Sequence, residues 1–442
     1  MSHSSLSKHP KALWILALTE LCERFSFWGV GFMLVLYLIE YYHFPNDNAT
    51  QIYGVFSGAA AFLPLIGGWI ADRWNYQSPL FLGALVNAIG CFLLATGIEH
   101  LLYTSLIIIA CGYGIFTPSI LTVLGHVYRD KPELREAGFS IYYASINVGV
   151  FLALLSLGTI AKIWNWHASF FVAGCVQVIG LIPLIYYLKK YKETYHSLKS
   201  MQKETRSSKE RLTPLEKNRI FVIAVFCVIS ILFWVAYNQA FSSMAIFAHD
   251  FMNKNIGGVS VPEGVFMSSE SFFLIVLAPI LAWTYAKLQK RNQDPSPAIK
   301  TGLSMLFMAA CFFLMMIGSL SIPAEAKTAN VSWSYLVGAY ILMAFGEMLL
   351  APIGLSMVSR LSPRRYTAMA IGIWYVCVGV AFFNGGILAG LMDKMGGLFN
   401  FFSMFVIMTI IPGIILLIFA KKLTRMSRID PHAPHDITDV DK

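Results

Sequence analysis

KKYKETYHSLKSMQKETRSSKERLTPLEKNR, residues 189–219, is the longest polar stretch in a chain of 442 residues, and it is rich in Lys, Glu and Ser. Six apolar runs precede it, near 12–40, 52–71, 79–98, 103–127, 138–162 and 168–188. Six follow, near 219–249, 264–288, 299–320, 333–358, 367–391 and 398–421. Each is long enough to cross a hydrocarbon core of about 30 Å at roughly 1.5 Å per helical residue. Composition agrees, with 57% hydrophobic residues, 13% charged against about 25% in soluble chains, and a mean hydropathy of +0.63. A β-barrel would alternate apolar and polar residues in segments of about ten, so that class is excluded. The reading is an all-α membrane protein of twelve transmembrane helices in two six-helix bundles. These are 1–188 and 219–421, with a linker at 189–218 and a tail at 422–442.

The formal charge of +9 follows from topology. Of the 33 Lys and Arg, only Lys162, Lys254, Lys327 and Lys394 fall in loops on one side, and Arg24 lies within a span. The others crowd before the first span, in the loops of the opposite side and in the tail. The positive-inside rule then places both termini in the cytoplasm, and no nucleic-acid role is expected. Contact of 189–219 with anionic lipid stays open. All seven cysteines, Cys22, Cys91, Cys111, Cys175, Cys227, Cys311 and Cys377, sit inside spans, so neither a disulfide framework nor a metal site is expected. The start, MSHSSLSKHPK, is too short and polar for a cleaved signal peptide, and neither end carries a lipidation motif. The expected location is a bacterial-type inner (plasma) membrane.

No G-x-x-x-x-G-K-S/T loop exists, so ATP is not the energy source and no cofactor is expected beyond an ion gradient. Two bundles of spans joined by a polar linker are the standard build of secondary transporters, with cargo held near the midplane. The stretch GGWIADRWN, Gly67 to Asn75, resembles the G-x-x-x-D-R turn of the major facilitator superfamily. That resemblance implies an interdomain contact through Asp72 and Arg73, although Asn75 and Gln77 depart from the usual pattern.

Ionisable side chains within spans are costly and mark substrate or proton pathways. Glu20, Glu23 and Arg24 share one face of the first span at spacings of three and four. Two carboxylates beside one guanidinium cannot be paired equally well, so one is free to take and release a proton. A static salt-bridged knot is the other reading. Glu347 lies midway along the tenth span and Glu270 early in the eighth. His126, His167 and His249 lie near span ends, which leaves proton work to carboxylates. Pro118, Pro279 and Pro352 mark spans that could bend as gates.

The segment ELCERFSFWG, Glu20 to Gly29, is similar to the E-x-x-E-R-F-x-Y-Y-G signature of the proton-coupled oligopeptide transporter family. Further stretches agree in order: FSIYYASINVG (139–149), FWVAYNQAFSS (233–243), GEMLLAPIGLSMVSRLSP (346–363) and IGIWYV (371–376). The resemblance implies a proton-driven symporter of di- and tripeptides. Glu20, Glu23 and Arg24 would couple the proton. Tyr143, Asn147, Trp234, Asn238, Gln239, Glu270, Glu347, Ser356 and Trp374 would line the substrate site, with Glu347 receiving the peptide amino group. The partners are a small peptide or amine, protons and the bilayer, and the functional unit is expected to be a monomer.

Departures from the family pattern matter as much. Gly31 and Thr117 stand where the family carries an Arg and a Lys, Asn238 where it carries a Glu, and Ala61 where it carries a pocket Tyr. Glu270 falls where an Asn aligns. Arg24 is then the lone strong cation expected near the site, against Glu20, Glu23, Glu347 and Glu270. A cargo whose positive end dominates would suit such a pocket. Capture of a peptide carboxylate by Arg24, or its replacement contacts through Ser119 and Gln239, is the competing reading. Export of amines, and a receptor that keeps the fold without moving cargo, are the remaining alternatives. No nucleophile, base and orienting group cluster as in an enzyme.

Overall fold

The computed structural model describes residues 9–73, 77–128, 131, 134–190, 213–291, 293–323, 326–363 and 367–427. Twelve helices among them are long and apolar enough to cross a membrane. The first six are α1 (Lys11–Glu40), α2 (Asn46–Arg73), α3 (Gln77–Ala95), α4 (Leu102–Val127), α5 (Arg135–Ile163) and α6 (Trp166–Lys190). The seventh span, α7, runs Pro214–Tyr237, passes through a 3-10 turn at Asn238–Phe241 and resumes at Ser243–Asp250. Then come α8 (Glu263–Lys290), α9 (Pro297–Gly318), α10 (Trp333–Leu361), α11 (Thr367–Ala389) and α12 (Leu398–Ser427). Exposed Ile107, Ile182, Val228, Ile280 and Ile418 ring the outside, as a lipid-facing surface requires.

Helix ends follow local chemistry. The seventh span starts at Pro214, ahead of the expected 219, because Thr213 and Glu216 form a reciprocal capping box with Pro214 in the first turn. Ser296 caps α9 without a reciprocal partner, its Oγ accepting from the Ile299 amide at 3.5 Å. At the far end α12 continues to Ser427, past the expected 421, carrying Lys421, Lys422 and Arg425 as helical residues.

An even number of spans puts both termini at one end of the bundle; the opposite end is called distal here. There the α7–α8 connection carries β1 (Met252–Asn253), β2 (Asn255–Ile256) and β3 (Val259–Ser260), and β4 (Val331–Ser332) precedes α10. β1 pairs in parallel with β4, Met252 opposite Val331, and β2 pairs antiparallel with β3. These two ribbons tie the distal ends of α7, α8 and α10 together.

The proline-bearing helices α4, α8 and α10 run unbroken through Pro118, Pro279 and Pro352. The span that does break is α7, at a turn with no proline. Its loosened backbone is satisfied from side chains. Ser242 Oγ donates to the Asn238 carbonyl at 2.8 Å, Gln239 Nε2 to those of Val235 and Gly385 at 3.1 and 2.9 Å, and Tyr340 Oη to that of Ala240 at 2.7 Å. In an apolar medium only such substitutions let a helix open.

Between the halves, α2 packs on α11 and α5 on α8. The α2–α11 seam closes at the distal end, where Gly54 meets Gly386. A Cβ built on Gly54 would lie 2.8 Å from the Gly386 Cα, so only glycine permits this approach. Beside it, Lys394 Nζ reaches Asp47 Oδ2 at 2.9 Å and Asn46 Nδ2 reaches Asp393 Oδ2 at 3.1 Å. These groups are solvent-exposed, and such pairs contribute at most about 1 kcal/mol each. The backbone fit at Gly54 therefore carries the seal. An Asp47→Cys/Lys394→Cys variant should cross-link readily under mild oxidation, and adding Gly386→Leu should cut the yield several-fold. An unchanged yield in a gel-shift assay would place the closure elsewhere.

Candidate functional site

α1 is almost wholly enclosed, and its acidic signature lies at 0% exposure for Glu20 and Glu23 and 4% for Arg24. α5 can approach closely there because Gly149 faces the Leu21 carbonyl and the Arg24 Cβ, where a side chain would collide. Arg24 Nε holds Glu20 Oε1 at 2.6 Å, while its Nη1 lies 3.4 Å from Glu23 Oε2. Glu23 receives one further contact, from Asn87 Nδ2 at 3.5 Å. The guanidinium thus serves one carboxylate closely and the other loosely, the inequality expected when two acids share one base. Arg24 also stacks on Tyr113, 4.9 Å from the ring centre, and its Nη2 lies 3.5 Å from Thr117 Oγ1.

Tyr113 and Thr117 are themselves part of the wall of a cavity of about 230 Å³ between the halves. Tyr143 and Asn147 line it from α5, one turn apart, with Asn147 Nδ2 donating to the Tyr143 carbonyl at 3.2 Å. Trp234 and Asn238 line it at the break in α7, Glu270 from α8 and Glu347 from α10. The Tyr237 hydroxyl donates to Glu270 Oε1 at 3.2 Å and Ser271 Oγ to Oε2 at 3.1 Å. The Glu347 carboxyl lines the cavity with Glu270 and Tyr237, and its Oε2 has no hydrogen-bond partner. Asn238 Oδ1 and Trp234 Nε1 are likewise buried without partners. Three residues of the cavity wall thus each carry a buried polar atom without a partner.

No Lys, Arg or His occurs among the described residues that line this cavity. Arg24 stands behind Tyr113 and Thr117, so the expectation of one cation at the site is corrected to none on its wall. The place of a cation at position 31 is taken by an aromatic cluster. A Cβ on Gly31 would touch Phe56 Cε1 at 3.0 Å, Phe56 stacks with Phe27 at 5.4 Å, and Phe32 stacks on Phe241 at 3.5 Å. A larger groove of about 550 Å³ opens sideways between α2 and α4, but no charged side chain lines it among the described residues.

Other expected site residues stand elsewhere. Gln239 is consumed within the α7 break, where it also accepts from Ser243 Oγ at 2.8 Å. Ser119 Oγ donates to the Ile115 carbonyl at 3.0 Å. Trp374 packs its ring on Gly354 of α10, and its neighbour Tyr375 takes the place on the cavity wall. The side chains of Ser356 and Asp72 lie outside the described residues. Arg73 is exposed and stacks on Trp69, 3.9 Å from the ring centre. Sequence reasoning passed over Tyr237 and Tyr375, although both sit inside quoted motifs. One residue is 100° of helical rotation, and without a fixed facing Trp374 and Tyr375 are equivalent candidates.

A family model described as the Major Facilitator Superfamily matches residues 16–321. The chain belongs to the Major Facilitator Superfamily. This major facilitator is 25% identical over 487 residues to the peptide transporter YePEPT of Yersinia enterocolitica, covering 95% of both chains. It is 25% identical over 482 residues to dipeptide and tripeptide permease A of Escherichia coli, covering 96% of this chain and 94% of that one. A crystal structure of the peptide transporter POT in complex with sulfate superposes with a TM-score of 0.83 at 24% identity, covering 95% of this chain and 96% of the other. Within the superfamily the chain is thus similar to peptide transporters at about a quarter identity, and it is a multi-pass membrane protein.

Removing Arg24 would strand two buried carboxylates. Breaking such an arrangement typically costs about 3–5 kcal/mol. Arg24→Met should therefore strongly lower the unfolding temperature in detergent, and a Glu20→Gln/Glu23→Gln/Arg24→Met variant should recover much of the loss. A single variant as stable as the parent would show that the carboxylates are not charged against Arg24.

Proposed function

We propose that this chain is a proton-coupled secondary transporter that moves peptides or peptide-like compounds by alternating access, with preference for cargo whose positive end dominates. The observation that carries this reading is the cavity wall, with Glu270 and Glu347 facing each other and no cation among its described residues. A buried carboxylate needs a cation to offset its desolvation, and a cargo ammonium supplies one. Tyr143, Trp234 and Tyr237 present aromatic surface around the same space, which favours cations further. The relatives' names support peptides as cargo, and the lack of a nucleotide-binding loop leaves a gradient as the driving force.

Both termini face the cytoplasm in this reading, in the inner (plasma) membrane, so the distal seal at Gly54 and Gly386 is the outer gate. Opening it while the opposite ends of the bundles come together exposes the cavity to the outside. Glu23 is the proton carrier. When it is protonated, Arg24 is left to Glu20 and to Thr117 on the cavity wall, and when it is ionised the guanidinium is shared. Arg24 thereby links proton occupancy to the surface that cargo touches. The chain acts as a monomer and needs no cofactor.

A second reading, proton-linked export of small organic amines, is favoured by one feature. The wall offers a peptide carboxylate no cation, and an amine needs none.

Proteoliposomes with an inward proton gradient and an internal pH dye separate these readings. Neutral dipeptides, lysine-containing dipeptides and simple diamines should each be supplied outside. Internal acidification that follows dipeptides, is larger for the lysine-containing ones and vanishes in Glu23→Gln is the expected outcome. Efflux of amines against the gradient would favour export. No flux of any cargo, in protein shown to be folded, would sink both.

A further inference from the structure

A second convergence of titratable side chains joins the halves at the distal rim. Glu40 ends α1, His249 lies in the last turn of α7 and Glu263 opens α8. His249 Nδ1 is 3.2 Å from Glu40 Oε1 and 3.5 Å from Glu263 Oε1, and one ligand atom from each residue lies within 4.8 Å of the others. Donors bound at about 2.0–2.1 Å in a tetrahedral shell stand roughly 3.3 Å apart. The two His249 distances are close to that value, and the three groups need only small side-chain shifts to share one ion.

The surroundings complete the pattern. Nδ1 is buried and meets hydrogen-bond geometry with neither carboxylate. Trp166 Nε1 donates to Glu40 Oε2 at 3.1 Å, which leaves Oε1 for the shared point. Asp250 Oδ1 lies 3.7 Å from His249 Nε2, so a third carboxylate stands beside the ring. A cavity of about 260 Å³, lined by Glu40, Glu263, Trp166 and Lys254, adjoins the cluster and has room for a water as fourth ligand. The Lys254 ammonium rests on Glu263 and on the His249 carbonyl, 3.0 Å away. It occupies the cationic role that a metal would take.

We propose that Glu40, His249 and Glu263 form a site for a first-row transition dication of the zinc class, which clamps the two halves at the distal end. Two carboxylates, one imidazole that gives up its ion-pairing proton as the ion binds, and a water match the charge and donor preference of such an ion. Because Glu40 belongs to the first bundle and the other two ligands to the second, a bound ion ties the halves together. The distal end then cannot open. Lys254 must leave Glu263 for the ion to bind, so it acts as a competitor.

The test uses the untagged full-length protein in detergent, titrated with Co²⁺ as a spectroscopic stand-in for zinc. One tetrahedral cobalt per chain, seen by its visible absorption and displaced by Zn²⁺, is expected. His249→Ala and Glu40→Gln should weaken binding at least tenfold, and Lys254→Gln should tighten it. Should one substitution impair folding, the other two still decide the matter. Equal cobalt binding in parent and all variants would mean capture by other histidines and overturn the site. In proteoliposomes, zinc at saturating concentration should halt cargo movement in the parent and spare Glu40→Gln. Undiminished flux in the parent would overturn the clamp. The binding arm requires no cargo, so it stands apart from the transport reading.

Discussion

One guanidinium buried among acids in a membrane sets the terms for the rest of this molecule. Arg24 cannot leave its site without stranding Glu20 and Glu23, and neither acid can be charged without it. The part of α1 that carries them must therefore be walled off from lipid. Small residues do this, with Gly149 admitting α5 beside Arg24 and Gly180 admitting α6 beside Cys22. An enclosed α1 in turn fixes where Tyr113, Thr117 and Tyr143 stand, and hence one wall of the cavity.

The opposite wall obeys a different balance. α7 opens at Asn238–Phe241, and the freed carbonyls are taken up by Ser242, Gln239 and Tyr340. That break lets Trp234 and Asn238 face the cavity while the Tyr237 hydroxyl turns to Glu270. Two carboxyls then stand together without a described cation on the wall, and the polarity of the site is reversed relative to one that must also hold a carboxylate. Among the described residues that line the cavity, no other cation stands in for those that the family resemblance implies at positions 31 and 117. Phe56 occupies the space at Gly31, and Thr117 became a contact for Arg24.

Much of this was legible in the residues alone. Twelve apolar runs about a polar linker sufficed for the fold, because lipid allows few other solutions. Glu20, Glu23, Arg24, Glu270 and Glu347 declared themselves because charge within an apolar run is conspicuous. Uncharged site residues were harder to read. Trp374 and Tyr375 differ by one step of rotation, which periodicity cannot resolve when α11 touches protein on more than one face. Gln239 was expected at the substrate site, and in the structure its amide spans the α7 break, a contact that exists only once the helix opens. The cluster of Glu40, His249 and Glu263 was invisible for another reason. Its members come from three spans, each at a span end where charge is ordinary.

The central claim is that the cavity recognises a cationic end through Glu270 and Glu347. Binding of one dipeptide and its N-acetylated counterpart, followed through the fluorescence of the wall residues Trp28 and Trp234, tests it most directly. Acetylation removes the ammonium and leaves the remainder of the ligand intact. The account predicts an affinity at least about tenfold weaker for the acetylated form, equivalent to roughly 1.4 kcal/mol. Equal affinities would contradict it and assign the recognition of cargo to other groups.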